Sequence, residues 1–245
     1  MKLFETGDIY PVSTGADNFG DYDSFYLSDK EVSIETYQKR ARGFRKKLSG
    51  WLIGSRERKM LDIGCGVGYL LFFLQQEGFA DLTGIDVNEK LTQIAAENTN
   101  AKCLAGDGLE YLQNCQEVYD CMFLWNVIEH IPSDKIVDSL KILSNHLSKD
   151  GFVVIRTPNM TNVLGQAHLN TDFTHCTAFT EHSLEQVAQI ACFSTVDLLD
   201  QFKIQSFKGK IRAILNWCVH KWLLWLRGGA KSKVFYRNIY AVLRK

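Results

Sequence analysis

The stretch Met60-Leu-Asp-Ile-Gly-Cys-Gly-Val-Gly68 decides the fold class of this chain. It opens with an apolar run of strand length that contains one acid, Asp62, and it continues through Gly64, Gly66 and Gly68 into a helical pattern. Glycine lacks a Cβ, so its backbone can take a positive φ and approach a ligand closely. A strand that passes through glycines into a helix is typical of the ligand-binding turn of an open parallel sheet.

Short apolar runs alternate with helical patterns around this turn. The predicted strands are Met60–Ile63, Leu82–Ile85, Lys102–Leu104, Tyr119–Trp125, Phe152–Arg156, Thr195–Leu199 and Ile239–Leu243. The predicted helices are Glu31–Trp51, Tyr69–Gln76, Glu89–Asn98, Leu109–Gln113, Ser133–Leu147 with Ser133 as its N-cap, and Thr180–Ala191 with the Thr180 hydroxyl as its cap. Such alternation implies parallel strands joined by crossover helices. We therefore expect a Rossmann-like α/β fold, a seven-stranded and mostly parallel sheet with helices on both faces.

The 245 residues, 46% of them apolar, suit one globular domain with additions at its ends. We expect an N-terminal arm and helix over residues 1–52 and a cofactor-binding core over 60–200. A basic amphipathic helical insertion is expected over 201–232, before an antiparallel last strand over 233–245. The first 30 residues lack periodicity, which predicts an irregular arm.

The formal charge is zero, but the charges are unevenly distributed. Residues 201–245 hold eleven Lys or Arg and no Asp or Glu, so the first 200 residues carry a net charge of −11. Residues 202–227 combine these cations with three of the five Trp, a composition that suits contact with an anionic membrane. A core helix that also forms a homodimer contact is an alternative. A nucleic-acid surface is disfavoured because the rest of the chain is acidic.

Seven cysteines are scattered along the chain, an odd number without a CxxC pair. Together with the absence of a charged-then-apolar leader, this predicts a reduced, cytoplasmic setting. The basic segment 202–227 adds the expectation of peripheral contact with the inner face of the plasma membrane. No stretch reaches the roughly 18 uninterrupted apolar residues of a membrane span.

Two more acids follow the next two predicted strands. Asp86 lies 22 residues beyond Gly64, where a carboxylate can accept the hydroxyls of a ribose, and Asp107 is placed to accept an adenine amino group. The dinucleotide fingerprint GxGxxG would need glycine at Tyr69, which disfavours a nicotinamide dehydrogenase. Asp62 would repel a pyrophosphate, whereas a ligand with an ammonium or sulfonium charge would be attracted to it.

On these motifs the chain resembles the class I S-adenosylmethionine-dependent methyltransferases, over roughly Met60 to Phe193. The segment Tyr119-Asp-Cys-Met-Phe-Leu-Trp-Asn-Val-Ile-Glu-His-Ile131 resembles the family's fourth strand and the Glu-His pair after it. The resemblance implies the cofactor S-adenosylmethionine. The cofactor-binding residues that it implies are Asp62, Gly64, Cys65, Gly66, Gly68, Asp86, Val87, Gly106, Asp107, Gly108, Leu109, Trp125 and Asn126. Cys65 is expected to be a small filler rather than a nucleophile.

The run Asp172-Phe-Thr-His-Cys-Thr-Ala-Phe-Thr180 resembles a pattern in methyltransferases of cell-surface glycan (O-antigen type) biosynthesis. A sugar hydroxyl must lose a proton as it attacks, and histidine is the natural base near neutral pH. We expect His175 to be the general base and Asp172 to orient it. A His175 that only pins the loop by bonding to backbone is the alternative, and His130 is expected to cap or pack.

No metal is predicted. A divalent ion held by Asp172, His175 and either Glu129 or His168 is the alternative, although this spacing is not diagnostic.

The sequence therefore predicts a methyltransferase that acts on a hydroxyl or phosphate of a sugar, in a bacterial cell-surface polysaccharide or its lipid-linked precursor. The expected partners are that glycan acceptor and an anionic membrane. A quinone or lipid-phenol O-methyltransferase is the first alternative. A non-catalytic S-adenosylmethionine-binding subunit is the second.

Overall fold

The computed structural model describes residues 32–52, 54–162, 165–170, 172–199, 207–226, 228 and 234–245. All of them belong to one compact unit, Val32–Lys245. The predicted N-terminal arm lies outside the described residues, as do parts of the segments that flank the basic helix.

The secondary structure follows the predicted alternation closely. The strands are β1 (Met60–Ile63), β2 (Leu82–Asp86), β3 (Lys102–Ala105), β4 (Tyr119–Trp125), β5 (Leu147–Pro158), β6 (Thr195–Leu198) and β7 (Asn238–Arg244). The helices are α1 (Ile34–Leu48), α2 (Tyr69–Gln76), α3 (Glu89–Asn98), α4 (Gly108–Gln113), α5 (Ile136–Asn145), α6 (Gly165–Leu169), α7 (Glu181–Ile190) and α8 (Phe207–Leu226). A 3-10 turn, Ile128–His130, follows β4.

The seven strands form one sheet in the order β3-β2-β1-β4-β5-β7-β6. Strands β1 to β5 pair in parallel, whereas β7 runs antiparallel to both β5 and β6. The predicted mostly parallel sheet with an antiparallel last strand is confirmed. Strand order reverses between β1 and β4, and in open α/β sheets ligands bind beyond the carboxyl ends of the strands at such a point.

Helices cover both faces of the sheet. One buried cluster joins α4, α5 and α7 to the strands, with Leu112, Leu140 and Leu184 fully buried. The second cluster joins α1 and α2 to the opposite face, through Leu48 and Phe73 among others. Burial on both faces explains the continuous apolar runs Cys121–Trp125 of β4 and Phe152–Ile155 of β5.

The structure corrects two local predictions and confirms a third. Ser133 is not the N-cap of α5, because the backbone N–H of Lys135 donates to Pro132 O and closes a turn that contains Ser133. Strand β5 is longer than predicted, because Leu147 already pairs with Tyr119 of β4. A bulge over residues 148–151 separates this pair from the regular pairing that begins at Phe152. Thr180 does cap α7, through a capping box with Ser183.

Candidate active site

The glycine turn after β1 has the backbone that only glycine adopts without strain. Gly64, Gly66 and Gly68 have φ values of +71°, +54° and +83°. A Cβ at Gly64 would lie 2.4 Å from Cγ2 of Val127. The N–H groups of Gly64 and Cys65 both donate to Ile85 O of the neighbouring strand, so the turn is fixed to β2.

Helix α1 supports this turn through a buried side chain. The buried Tyr37 hydroxyl donates to Val67 O over 2.5 Å, and its ring contacts Tyr69 and Phe72. The sequence predicted the helical periodicity of α1 but not this contact, because the partner of the hydroxyl is a backbone carbonyl.

Asp62 is a buried carboxylate without a described counter-charge. Its side chain is 2% exposed, and Oδ1 has no hydrogen-bond partner among the described residues. Burial, and then the nearby Asp86, raise the pKa of Asp62 well above its usual range. A buried carboxylate of this kind is stabilised by a cationic ligand group.

Asp86 ends β2 beside the glycine turn, at the predicted position. Its Oδ2 accepts from Gly66 N over 2.8 Å and its Oδ1 from Asn88 N over 3.0 Å, which aims the carboxylate across the turn. The next side chain, Val87, is half exposed. An apolar surface beside a carboxylate suits a nucleoside, whose base stacks while its ribose hydroxyls donate.

The loop after β3 places its residues at the same sheet edge. Asp107 caps α4, since its Oδ1 accepts from Leu109 N over 2.7 Å and from Glu110 N over 3.0 Å. Gly106 has a φ of +148°, and a Cβ at Gly108 would lie 2.7 Å from Cγ2 of Ile63. The loop therefore packs tightly against the end of β1.

Trp125 and Asn126 end β4 at the point where the strand order reverses. Asn126 has a left-handed φ of +62°, and its side-chain oxygen accepts from Arg156 of β5. Trp125 packs edge-on against Phe44 and Tyr240, with the Arg156 guanidinium 5.6 Å from its ring centre. Burial alone would raise the pKa of Tyr240, but the charges of Arg156 and Lys47 lower it overall.

These residues fit S-adenosylmethionine. The predicted cofactor residues converge at the carboxyl ends of β1 to β4, where Asp62 offers an unpartnered acceptor for an ammonium and the glycine turn leaves room for close approach. Cys65 is buried, burial raises its thiol pKa, and a Cβ at Gly84 would lie 3.0 Å from its Sγ. It is therefore a filler between strands, as expected.

A second polar cluster lies beyond β4 and β5. His175 is 9% exposed, and its Nε2 lies 4.0 Å from Oε1 of Glu129, whose side chain is fully buried. Neither carboxylate oxygen of Glu129 has a hydrogen-bond partner among the described residues. Burial raises the pKa of Glu129 to about 7. The N–H groups of Cys176 and Thr177 donate to Glu129 O and hold the two loops together.

The predicted pairing of Asp172 with His175 is wrong. Asp172 Oδ1 accepts from the backbone N–H of Thr174 over 3.0 Å and from its hydroxyl over 2.6 Å, because an aspartate readily binds the residue two positions on. The Thr174 hydroxyl in turn lies 2.8 Å from Nδ1 of His130. Asp172 therefore acts on His130 through Thr174, and Glu129 is the carboxylate beside His175.

The sequence predicted only a capping or packing role for His130, because its partner Thr174 comes from a distant loop. Its ring centre lies 4.7 Å from that of His175. Burial, and then His175, lower the pKa of His130, so that its ring is neutral at pH 7. The Glu-His pair was a visible signal, but nothing in the spacing shows that a loop 44 residues later joins it.

This cluster could also hold a divalent metal ion. One ligand atom from each of Glu129, His130 and His175 lies within 4.8 Å of the others. Two members, Glu129 and His175, belong to the alternative ligand set considered from the sequence. Asp172 is bound to Thr174 instead, and the side chain of His168 lies outside the described residues.

A cavity of about 250 Å³ lies at the opposite edge of the sheet. Lys59, Asp81, Lys102 and Glu117 line it, at the amino ends of the strands. Ligands of open α/β sheets bind at the carboxyl ends, so this cavity is not the candidate site.

Comparisons with known proteins show the family to which the chain belongs. The family described as "methyltransferase domain" matches residues 34–198. The tRNA U34 carboxymethyltransferase of Glaesserella parasuis is 34% identical over 108 residues, 42% of this chain and 33% of that protein. The ubiquinone biosynthesis O-methyltransferase of Yersinia enterocolitica is 29% identical over 114 residues, 43% of this chain and 45% of that protein. The chain thus matches less than half the length of these relatives.

Solved structures share the fold. A SAM-dependent methyltransferase from Archaeoglobus fulgidus superposes with a TM-score of 0.64 at 19% identity, covering 90% of this chain and 99% of that one. The plantazolicin methyltransferase BpumL in complex with SAH superposes with a TM-score of 0.59 at 18% identity, covering 93% of this chain and 92% of that one. The chain therefore belongs to the methyltransferase domain family, and its cofactor is S-adenosylmethionine.

Proposed function

We propose that this protein methylates a sugar hydroxyl or phosphate of a bacterial cell-surface polysaccharide, or of its lipid-linked precursor, at the cytoplasmic face of the membrane. The observation that carries the proposal is the cluster of Glu129, His130 and His175 beside the cofactor residues that end β4. Its polar side chains suit a hydroxylated acceptor. The acidic charge of the first 200 residues disfavours a polynucleotide acceptor.

S-adenosylmethionine, when bound, supplies an electrophilic methyl group whose transfer is an in-line displacement. Asp62 would hold its ammonium, Asp86 its ribose and Asp107 its adenine. Trp125 would border the sulfonium. The protein's remaining tasks are to align the acceptor oxygen and to receive its proton.

In this proposal His175 receives that proton. Its Nδ1 lies 2.9 Å from Leu169 O, and since a carbonyl only accepts, Nδ1 carries the hydrogen in the neutral ring. Nε2 then has a free lone pair. An imidazolium formed there faces Glu129, 4.0 Å away, and the carboxylate of Glu129 stabilises it. In this proposal Glu129 takes the orienting role first given to Asp172.

His130 is a positioning residue in this scheme. The Thr174 hydroxyl donates to Asp172, so it accepts from Nδ1–H of His130 and fixes that ring beside His175. The two imidazoles would then define a polar wall against which a sugar hydroxyl can be aligned.

The test is turnover of His175→Ala with labelled cofactor and a panel of nucleotide-sugar, lipid-linked and terminal-sugar acceptors. We expect turnover to fall about 100-fold or more while S-adenosylhomocysteine affinity is retained. His182→Ala, an exposed histidine on α7, is the matched control and should keep full turnover. Unchanged turnover in His175→Ala would remove the base role.

A quinone or lipid-phenol acceptor is the second candidate, favoured by the similarity to the ubiquinone biosynthesis O-methyltransferase. Adding a catechol-type phenol to the panel separates the two candidates. Turnover on the phenol alone would replace the glycan proposal. Cofactor binding without turnover on any acceptor would favour a non-catalytic subunit.

The metal alternative is tested in the same assay. A base mechanism predicts that chelation leaves turnover intact, because His175 itself takes the proton. Activity that disappears with chelator and returns with Mg²⁺, Mn²⁺ or Zn²⁺ would assign the cluster to a metal instead.

A further inference from the structure

Helix α8 is unusual among the described elements because most of its large apolar side chains are exposed. Leu215 is 62% exposed, Trp222 58% and Trp225 74%. Only Ala213 and His220 are buried. Soluble proteins rarely expose so much contiguous apolar surface without a partner.

Six of the exposed side chains recur every three or four residues, the spacing of one face of a helix, and form a stripe: Phe207, Ile211, Leu215, Cys218, Trp222 and Trp225. The other exposed apolar side chains, Ile214, Trp217, Val219 and Leu226, flank this stripe on its two sides. At 100° per residue Ala213 and His220 fall on the opposite face, which is the buried face of the helix. Burial, and then Lys221, lower the pKa of His220, which disfavours a charge on that face.

Basic residues line both margins of the stripe. The helical rotation places Lys208 and Arg212 along one margin and Lys210 and Lys221 along the other. The whole of residues 201–245 contains no acid. An apolar stripe between two rows of cations matches an anionic bilayer surface, where tryptophan and aliphatic side chains enter the headgroup zone and the cations meet phosphates.

We propose that this stripe of α8 lies on an anionic membrane surface. A second copy of the chain fits it less well, because a partner stripe would bring a second set of the same cations alongside with no acids between them. No described helix is long and apolar enough to cross a bilayer. The inference deepens the proposed function, since a lipid-linked acceptor would be presented at the surface that α8 contacts.

The test uses the full chain and vesicles, and it does not depend on turnover. We expect flotation with vesicles of phosphatidylcholine plus phosphatidylglycerol and little with phosphatidylcholine alone. In the triple variant Lys208→Gln/Arg212→Gln/Lys221→Gln, we expect the membrane partition coefficient to fall about fivefold for each charge removed. This factor corresponds to about 1 kcal/mol per cation, since about 1.4 kcal/mol is a tenfold change. Leu215→Ser/Trp222→Ser should abolish binding.

The matched control removes three exposed cations from α1, as Lys39→Gln/Arg42→Gln/Lys46→Gln. This variant loses the same net charge as the α8 variant, and we expect it to float with the anionic vesicles as the wild type does. Equal losses in both triple variants, or binding that survives Leu215→Ser/Trp222→Ser, would overturn the proposal. A dimer by light scattering that Trp222→Ser dissolves would instead assign the stripe to a second copy. Glycan turnover on a soluble acceptor, measured separately, reports on the proposed function alone.

Discussion

Replacing Gly64 by alanine isolates the geometry of the glycine turn. Two costs add: the left-handed φ of +71° costs a non-glycine residue about 1 to 2 kcal/mol, and the new Cβ would lie 2.4 Å from Val127 Cγ2. Overpacking of this kind typically costs about 1 to 3 kcal/mol. We therefore expect Gly64→Ala to lower the free energy of unfolding by about 2 to 5 kcal/mol.

A double-mutant cycle separates the two costs. Val127→Ala removes Cγ2 and leaves the Val127 Cβ at 3.8 Å, so Gly64→Ala in that background should cost only the backbone strain of about 1 to 2 kcal/mol. Gly78→Ala is the control, because Gly78 has a φ of +90° and nothing within 4 Å of its Cβ position. Urea unfolding measures all four variants. Additive costs at Gly64 and Val127 would refute the proposed contact.

Three further perturbations test the buried acids and one helix end. Asp62→Asn should weaken S-adenosylhomocysteine binding about tenfold or more, measured by calorimetry, because it removes the acid that the ligand ammonium would pair. It should raise the unfolding temperature of the unliganded protein at a pH where Asp62 is ionised, since burial disfavours the ionised form. Folding raises the pKa of Glu129 from 4.5 to about 7, so the folded state holds the extra proton and stability should fall by about 3 kcal/mol as pH rises through that interval. Urea unfolding of Glu129→Gln across the same pH range should lose this contribution and keep the contribution of the same sign from Asp62, whose pKa is also raised. Thr180→Ala should cost about 1 kcal/mol in urea unfolding and Thr180→Ser almost nothing, because the serine retains the capping hydroxyl.

The sequence was informative wherever a local pattern decides the structure. The glycine turn, the acid after β2 and the cap of α7 depend on residues within a few positions of one another, and they lie where the sequence predicted them. The spacing of the apolar residues predicted which segments are helices and which are strands. The exposed stripe of α8 was visible as interleaved aromatic and basic residues, although its orientation on the protein was not.

Long-range pairing accounts for what the sequence could not predict. Asp172 and His175 are close in sequence, but a local turn takes the carboxylate to Thr174, and the partner of His175 is Glu129 from another loop. A contact between two polar residues on different loops can be predicted only when the order of the strands in the sheet is known. Ser133 failed as a cap for a related reason, because Pro132 started a turn first.

The contact between Tyr37 and Val67 couples the first helix to the catalytic half of the molecule. A hydroxyl fully shielded from water holds the peptide between the second and third turn glycines, so displacing α1 would leave an unsatisfied carbonyl in the glycine turn. We therefore expect occupancy of the candidate cofactor site and docking of α1 to be thermodynamically linked, so that each strengthens the other.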